Sequence, residues 1–233
     1  MNKTIAILFL IVLIYSCSTI IDTVDTDFTN IELDDGNYKN YWNGKLFVDF
    51  NVKNKQIDST CKWYYQNGKL KTEAFYVNGL CNGILKDYRK DGSLEYLSNC
   101  INGKINGVSY MYWKNGNIKR EATVIDNVCN GISTSFNKKG LISSVRRCVG
   151  GKSYGWWKSY YHFPNDSIKS IVNYYHREKE GEFMIFYKSG GLKQKGHYSK
   201  NKKNGILYYY DTSGKIVDSV VFDNGKRIKQ KES

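Results

Sequence analysis

The stretch "YQNGKLKTEAFYVNGLCNG", which runs from Tyr65 to Gly83, contains three Asn-Gly pairs. This dipeptide supplies the positive backbone φ angles that tight hairpin turns require. The whole chain has 233 residues, among them 21 Gly, 20 Tyr and a single Pro. Such a mixture is typical of many short strands joined by tight turns.

The same turn returns at a fixed spacing. Starting from Gly44, a turn residue recurs every 24 residues, with one interval of 26 residues. These positions are Gly44, Gly68, Gly92, Gly116, Gly140, Asp166, Gly190 and Gly214. An aliphatic residue follows each of them two positions later, and seven units carry an aromatic residue shortly before it: Tyr64, Tyr88, Tyr112, Phe136, Tyr160, Phe186 and Tyr210. The pattern predicts an all-β, continuous antiparallel meander of repeated β-hairpins, with about eight 24-residue units and about 16 strands.

Side-chain parity predicts the form of the turns. Tyr64 and Leu70 share a face and stand opposite each other if the loop is Gln66-Asn67-Gly68, a type I turn followed by a left-handed Gly that forms a bulge. A second turn is expected midway between these loops, with two glycine positions that Gly79 and Gly83 fill in the quoted stretch. All three Asn-Gly pairs are then hinges of hairpins.

The repeat resembles the variant MORN repeats of the YwqK-type family. Their units read approximately Tyr-Tyr-x-Asn-Gly-Lys-Leu-Lys, which Tyr64 to Lys71 match almost completely and Tyr112 to Lys119 match closely. The resemblance extends from residue 42 to about residue 228. It implies an elongated, open, single-layer twisted sheet. Proteins of this family are commonly labelled antitoxins of toxin–antitoxin pairs, which implies one cognate protein partner.

The N-terminus has the pattern of an export signal. Lys3 precedes an apolar run from Ile5 to Ile14, which is too short to span a bilayer. The following residues 14–17, "IYSC", resemble a bacterial lipobox, which implies that Cys17 is lipidated. We therefore predict a lipoprotein signal peptide at 1–16, the lipidated Cys17 with an acidic flexible tether at 17–41, and the repeat domain at 42–233. The alternative is an ordinary cleaved secretory signal with an incidental Cys17.

Both interpretations place the protein outside the cytoplasm. The lipid anchor predicts the bacterial cell envelope, at the outer membrane or cell surface. The formal net charge is +13, which favours anionic partners, although lysines on solvated strand faces account for it equally simply. Nucleic acid is not expected as a partner at this location.

Five cysteines lie in the repeat region. Cys81 and Cys129 occupy one repeat position, Cys100 and Cys148 another, and each of the second pair follows its partner by 19 residues. If Tyr88 stands opposite Leu94, then Cys100 lies opposite Asn82, beside Cys81. We therefore predict disulfides Cys81–Cys100 and Cys129–Cys148, with buried thiols as the alternative.

The role of Cys61 remains open between a buried thiol and an intermolecular link.

We call the seven aromatic residues that precede the loops the aromatic column. The positions on either side of each of them point to the other face of the sheet. Several of them are aromatic: Trp63, Tyr65, Trp113, Trp157, Tyr161, Tyr187 and Tyr209. Amphipathic rings beside lysines form a candidate surface for protein, peptide or glycan. The alternative is that these rings only cover the sheet through cross-strand packing.

The sequence carries no pattern of an active site. No pair of cysteines has metal-ligand spacing, the three histidines lie in different units, and only His162 and Asp166 stand near each other, in the longer turn. We predict no catalysis, no metal and no cofactor.

The predicted function is a lipid-anchored binding or scaffold protein with a protein partner. The alternatives are an antitoxin or immunity protein and a structural or glycan-facing spacer.

Overall fold

A computed structural model describes residues 33–162 and 167–228. The signal peptide, Cys17 and most of the tether therefore lie outside the described residues, as do Asp166 and the last five residues of the chain. The contacts between residues divide the chain at Leu33, and all described residues belong to the second unit. Every regular element among them is a β-strand, so the predicted all-β class is confirmed.

Nineteen strands form one open sheet. They are β1 Gly36–Trp42, β2 Lys45–Lys53, β3 Gln56–Tyr64, β4 Leu70–Val77, β5 Leu80–Tyr88, β6 Leu94–Ile101, β7 Lys104–Ile105, β8 Gly107–Tyr112, β9 Ile118–Ile125, β10 Val128–Phe136, β11 Ile142–Val149, β12 Lys152–Tyr160, β13 Ile168–Tyr175, β14 Glu178–Phe186, β15 Leu192–Ser199, β16 Lys202–Lys203, β17 Gly205–Tyr210, β18 Ile216–Asp223 and β19 Lys226–Ile228.

Each strand pairs antiparallel with its neighbours in the chain, as a meander requires. The short β7 and β8 both pair with β6, and β16 and β17 both pair with β15. Each of these pairs is one interrupted strand, which explains most of the excess over the predicted number. The sheet begins with β1, so its first strand falls inside the segment 17–41 that the sequence assigns to the tether.

The β1–β2 connection is a two-residue turn at Asn43 and Gly44, where the repeat predicted a longer loop, and from β2 onwards two kinds of turn alternate along the sheet. Tyr64 stands opposite Leu70, and Tyr65 and Lys69 close the loop between them with a backbone hydrogen bond of 2.8 Å. Gly68 has a φ of 82°, so the predicted three-residue loop with a left-handed glycine is confirmed. At the other end of the hairpin, Val77 pairs with Leu80, and positive φ values of 50° at Asn78 and 76° at Gly79 are those of a type I′ turn.

The third Asn-Gly pair of the quoted stretch is not a turn, and this prediction is wrong. Gly83 lies inside β5, opposite Cys100, with a φ of 143°. The register between β4 and β5 shifts there, so that Phe75 faces a bulged segment of β5. An added Cβ at Gly83 would come 3.2 Å from the Cβ of Phe75. Glycine is therefore required by a bulge and a close contact rather than by a hinge.

A second bulge follows each three-residue loop, and the sequence analysis does not predict it. Trp63 pairs with Thr72 while Tyr64 pairs with Leu70, so Lys71 is an extra residue on β4. The same shift recurs between Asp87 and Tyr88 and in later units. One extra residue reverses which face the rest of the strand presents. It also moves Cys100 from the expected position opposite Asn82 to one opposite Gly83.

A row of paired side chains, most of them buried, crosses one face of the sheet, and we call it the core row. It takes one residue from each of fourteen strands: Cys61, Ala74, Leu85, Ser98, Ser109, Ala122, Ser133, Arg146, Trp157, Val172, Phe183, Gly196, Leu207 and Val220. Directly paired residues of antiparallel strands share a face. We call the face that carries the core row the core face, and the opposite face the outer face.

The core row is packed most tightly at its two ends. Leu85, Phe183 and Leu207 are each only 2% exposed, and burying such a side chain contributes about 1.5–3 kcal/mol. Its middle holds small side chains, where the hydroxyl groups of Ser98 and Ser109 share a buried hydrogen bond of 2.8 Å. The repeated bulges increase the local twist, so that side chains on one face of a single sheet come close enough to bury each other.

Candidate functional site

Four of the seven predicted binding residues lie where the loops after the aromatic column begin, and each donates a side-chain hydrogen bond to the next unit. The Tyr65 hydroxyl donates to the Tyr88 carbonyl at 2.6 Å, and the Trp113 Nε1 donates to the Phe136 carbonyl at 3.1 Å. Tyr161 and Tyr187 repeat this bond at 3.0 and 2.7 Å to the carbonyls of residues 186 and 210. In each case the acceptor is the backbone carbonyl of the aromatic-column residue in the next unit.

Arg89 occupies the same position and donates to the Tyr112 carbonyl. Where the position holds a short polar residue, the side chain instead accepts bonds from its own loop. Asn137 Oδ1 accepts from the backbone N–H of Lys139 at 2.9 Å, and Asp211 Oδ1 accepts from that of Ser213 at 2.9 Å. Side chains at this position therefore stabilise the loops in seven successive units. We call this side of the sheet the loop edge.

Lysines lie over several of the loop-edge rings. The Lys119 and Lys138 ammonium groups are 4.9 and 5.9 Å from the centre of the Trp113 ring. Lys169 and Lys188 stand similarly at 5.8 and 6.0 Å from the Tyr161 ring. Cation–π contacts at exposed sites are worth about 0.5–1 kcal/mol. The lysines thus cover the rings that the sequence analysis expected a partner to contact.

The other three predicted binding residues point to the core face. Trp157 is a member of the core row, with its ring 5.4 Å from that of Tyr174. The Trp63 ring lies 6.2 Å from the Tyr76 ring, and Tyr209 pairs with Gln194. All seven residues therefore have contacts within the sheet, and their role in binding stays a prediction.

The outer face carries an exposed aliphatic strip that sequence reasoning missed. One row of it consists of Ile84, Val108, Ile132 and Ile206, together with the half-buried Trp156. Beside it, towards the type I′ turns, lie Leu80, Ile101, Ile125, Val128 and Val149. Ile84 is 56% exposed, whereas its chain neighbour Leu85, on the core face, is 2% exposed. We call these ten residues the outer strip.

A periodic signal for the outer strip exists in the sequence. The residues 84, 108, 132, 156 and 206 occupy one repeat position and are all apolar. Each of them lies four residues before a member of the aromatic column on the same strand, so alternation of side chains places both sets on one face. They were missed because the sequence was followed only at the residues that flank the aromatic column.

The cysteines occupy three different environments. Cys81 and Cys100 lie at disulfide distance, with their Cα atoms 5.6 Å apart. Cys129 and Cys148 are free thiols joined by a hydrogen bond, so the second predicted disulfide stays a prediction. Cys61 belongs to the core row and is fully buried, which agrees with the first of its two interpretations; burial raises the pKa of its thiol.

No catalytic arrangement stands out in the part of the chain that the structure describes. Within residues 33–162 and 167–228, no three His, Cys, Asp or Glu side chains come together as metal ligands. A shallow cavity of about 470 Å³ lies near the N-terminal end of the sheet, beside Trp42, Phe47, Tyr64, Tyr65 and Lys71. No helix among these described residues has the length and apolar character that crossing a membrane requires.

Comparison with known families identifies the repeated unit. Residues 57–78, 105–126 and 179–200 match the family model of the MORN repeat variant. Each matched segment contains one hairpin with a three-residue loop at its centre. Three of the hairpins are thus similar to the MORN repeat variant. Most of the other hairpins repeat the same bulge without being matched, whereas the β1–β2 hairpin has a two-residue loop.

The remaining comparisons add little. No curated protein matches the sequence. Among solved structures, the crystal structure of TcdB2-TccC3-Cdc42 has 11% sequence identity to this chain and a TM-score of 0.23. The match covers 79% of this chain and 12% of the other, so the chain spans about an eighth of that protein's length. A similarity at this level carries no argument about fold or partner.

Proposed function

We propose that this protein is a non-enzymatic binding scaffold whose outer strip receives a protein partner. The observation that carries the proposal is the exposure of aliphatic side chains from successive hairpins on one face. Soluble proteins rarely leave large contiguous apolar patches in water unless a partner covers them. The core row already provides the fold with its buried face, so the outer strip has no comparable role in stability.

The charges around the outer strip indicate the chemistry of the partner. Arg147 stands opposite Ile132, Lys152 opposite Val149, and Lys104 opposite Ile101. A partner that places an apolar ridge on the strip and acidic side chains beside it would complement this surface. The proposed partner is therefore an acidic, amphipathic protein segment.

The family comparison supports a binding role in general terms, since MORN repeats are commonly modules that bind proteins or membranes. We further propose that Cys17 carries a lipid anchor and holds the scaffold at the bacterial envelope, as the lipobox resemblance implies. Mass spectrometry of the mature protein tests this anchor directly. An N-terminal diacylated or triacylated Cys17 supports it, whereas a mature chain that retains residues before Cys17 contradicts it.

The binding proposal is tested by a cross-linked pull-down from the native host, with the full chain tagged at Ser233. The test variant Ile84→Ser/Ile132→Ser/Ile206→Ser removes three exposed side chains of the outer strip. The matched control Lys90→Ser/Lys138→Ser/Lys188→Ser changes three exposed residues of the loop edge. We expect one stoichiometric protein with the wild type and the control, and its loss with the test variant at an unchanged melting temperature.

Each other outcome has a definite meaning. A partner that survives the test variant and is lost with the control would move the binding surface to the loop edge, as the sequence analysis expected. Recovery of a toxin as the partner would establish the antitoxin or immunity role. No partner with any of the three proteins would overturn the binding scaffold in favour of a spacer.

A further inference from the structure

The second cysteine pair differs from the first in what surrounds it. Cys129 and Cys148 occupy the repeat positions of Cys81 and Cys100, 48 residues further along the chain. The first pair lies at disulfide distance, whereas the thiols of the second pair are free and share a hydrogen bond. Cys148 is buried opposite Gly131 and Ser153, and Cys129 is half-buried.

Two arginines stand beside the second pair on the core face. Arg146 belongs to the core row, and Arg120 pairs with Ser135 on the neighbouring strand. The residues 48 positions earlier, beside the first pair, are the uncharged Thr72 and Ser98. Only the second pair is therefore flanked by guanidinium groups at these two repeat positions.

Neither guanidinium is neutralised by a carboxylate within residues 33–162 and 167–228. Arg146 is held in place instead by uncharged contacts. Its Nη1 donates to the Ser153 hydroxyl at 3.3 Å, and its guanidinium lies 5.5 Å from the centre of the Trp157 ring. Opposite Arg146, the buried hydroxyl of Ser133 has no hydrogen-bond partner in the described part of the chain. The site thus combines two thiols, two unpaired cations and an unsatisfied hydroxyl.

The surroundings favour a thiolate. The hydrogen bond from Cys129 lowers the pKa of Cys148 to about 7, and Arg146 and Arg120 contribute in the same direction against burial. The same hydrogen bond, together with burial, raises the pKa of Cys129. One proton is therefore shared between two sulfur atoms near neutral pH. Cysteines beside Lys or Arg are the reactive ones in proteins, because the thiolate is the nucleophile.

We propose that Cys129 and Cys148 form an exchange-reactive dithiol site for anionic low-molecular-weight disulfides of the glutathione class. The thiolate rests mainly on the buried Cys148, and in the minor form in which Cys148 holds the shared proton the half-exposed Cys129 is the thiolate that meets the reagent. It attacks one sulfur of glutathione disulfide and expels a glutathione thiolate. Cys148 then attacks the Cys129 sulfur of the mixed disulfide, forms the Cys129–Cys148 bond and expels the second glutathione thiolate. The proton that the two cysteines share passes to one leaving thiolate and water protonates the other, so one glutathione disulfide yields two glutathione molecules.

The arginines favour both the oxidation of the dithiol by the reagent and the later reduction of the disulfide. They attract the carboxylates of the reagent, and they stabilise the reduced protein, which holds a thiolate, relative to the neutral disulfide. A disulfide whose reduced form is stabilised is reduced more easily. The Cys129–Cys148 bond should therefore open and close under conditions in which the Cys81–Cys100 bond stays closed.

The test equilibrates the purified protein with mixtures of reduced and oxidised glutathione at pH 7, quenches with acid and measures both pairs by differential alkylation and peptide mass. For each pair we compare the ratio of the squared glutathione concentration to the glutathione disulfide concentration at which half of the protein is reduced. We expect this ratio to be at least about tenfold lower for Cys129–Cys148 than for Cys81–Cys100, since one pKa unit corresponds to a factor of ten. Equal ratios for the two pairs would overturn the proposal.

Matched variants separate charge from packing. Arg120→Thr/Arg146→Ser installs the residues found beside the first pair and should shift the half-reduction ratio of Cys129–Cys148 about tenfold towards that pair. Arg120→Lys/Arg146→Lys keeps the charge and should retain most of the difference. If the Thr/Ser variant fails to fold, rising ionic strength in the wild type should shrink the difference by screening. A difference that responds to neither charge removal nor salt sinks the proposal.

Discussion

The two faces of this sheet contain similar numbers of apolar side chains but treat them in opposite ways. Ile84 and Leu85 are neighbours on β5, yet the first is 56% exposed and the second 2% exposed. Ile206 and Leu207 repeat this contrast on β17. The difference shows that the burial of an apolar side chain in this sheet depends on the face that it occupies, not on its hydrophobicity. One face then provides stability and the other remains available for a partner.

The largest expected effect on stability comes from truncating a core-face residue, and truncating its outer-face neighbour is the comparison. Leu85→Ala should lower the free energy of unfolding by about 2–5 kcal/mol, because it leaves a cavity in the core row. Ile84→Ala should change it by no more than about 0.5 kcal/mol, as is usual for exposed positions. Urea unfolding followed by circular dichroism measures both. Comparable losses for the two variants would contradict the assignment of the faces.

A smaller effect is expected where the core row contains a glycine. A Cβ added at Gly196 would come 2.8 Å from Cε1 of Phe183 and 3.1 Å from Cδ1 of Leu207. Gly196→Ala should therefore destabilise the protein by about 1–3 kcal/mol through overpacking. Adding Phe183→Leu should recover part of this loss, which thermal unfolding of the single and double variants would show. A stabilising Gly196→Ala would mean that the core row has free space at this point.

Variants at the loop edge test whether its hydrogen bonds contribute to stability without contributing to binding. Trp113→Phe keeps an aromatic ring and removes the Nε1 hydrogen bond to the Phe136 carbonyl. It should lower the free energy of unfolding by about 1 kcal/mol and leave the pulled-down partner unchanged. Tyr187→Phe, which removes the corresponding bond to Tyr210, is the matched variant. Loss of the partner in either variant would return the binding site to the loop-edge aromatics.

The smallest expected effect on stability comes from removing the charge of one carboxylate on each face. On the core face, burial raises the pKa of Asp87, while the 2.6 Å hydrogen bond from Thr72 opposes the rise. Because the folded pKa lies above the unfolded one, the stabilising contribution of this group is complete below about pH 3.9 and is lost as the pH rises through the folded value. Asp87→Asn should therefore raise the urea midpoint at pH 7 and lose that advantage near pH 3.

The outer-face counterpart is Glu73, whose carboxylate lies 3.5 Å from Lys86 and 3.8 Å from Lys62. Pairs of this kind are partly exposed and contribute about 0.2–1 kcal/mol. Glu73→Gln should thus lower the urea midpoint slightly at pH 7, opposite in sign to Asp87→Asn. The same sign for both variants would show that the two faces do not differ in their electrostatic environment.

The sequence predicted much of the fold because its turns are local. The Asn-Gly and Gly positions fix backbone angles that few other residues adopt easily, and their spacing of 24 residues determines the length of the hairpins. The three-residue loop followed from the requirement that Tyr64 and Leu70 share a face and stand opposite each other, and the structure shows this pairing. The predicted binding residues fared differently. Their rings were correctly recognised as a periodic set, but the sequence did not show that Trp157 lies in the core row or that Tyr65 bonds to Tyr88.

What the sequence determined by itself is the periodicity: the length of the repeat, the three-residue loops, and which residues share a repeat position. What only the tertiary structure decided is the side of the sheet on which each position lies. At a bulge such as that at Lys71, one strand has one residue more than its partner, which reverses the face of every residue beyond the bulge. The spacing of the repeats does not reveal the bulge, because a bulge that recurs at the same position leaves that spacing unchanged. Burial then depends on how the bulged strands twist against their neighbours, which is a property of many strands together and is not written in any one repeat.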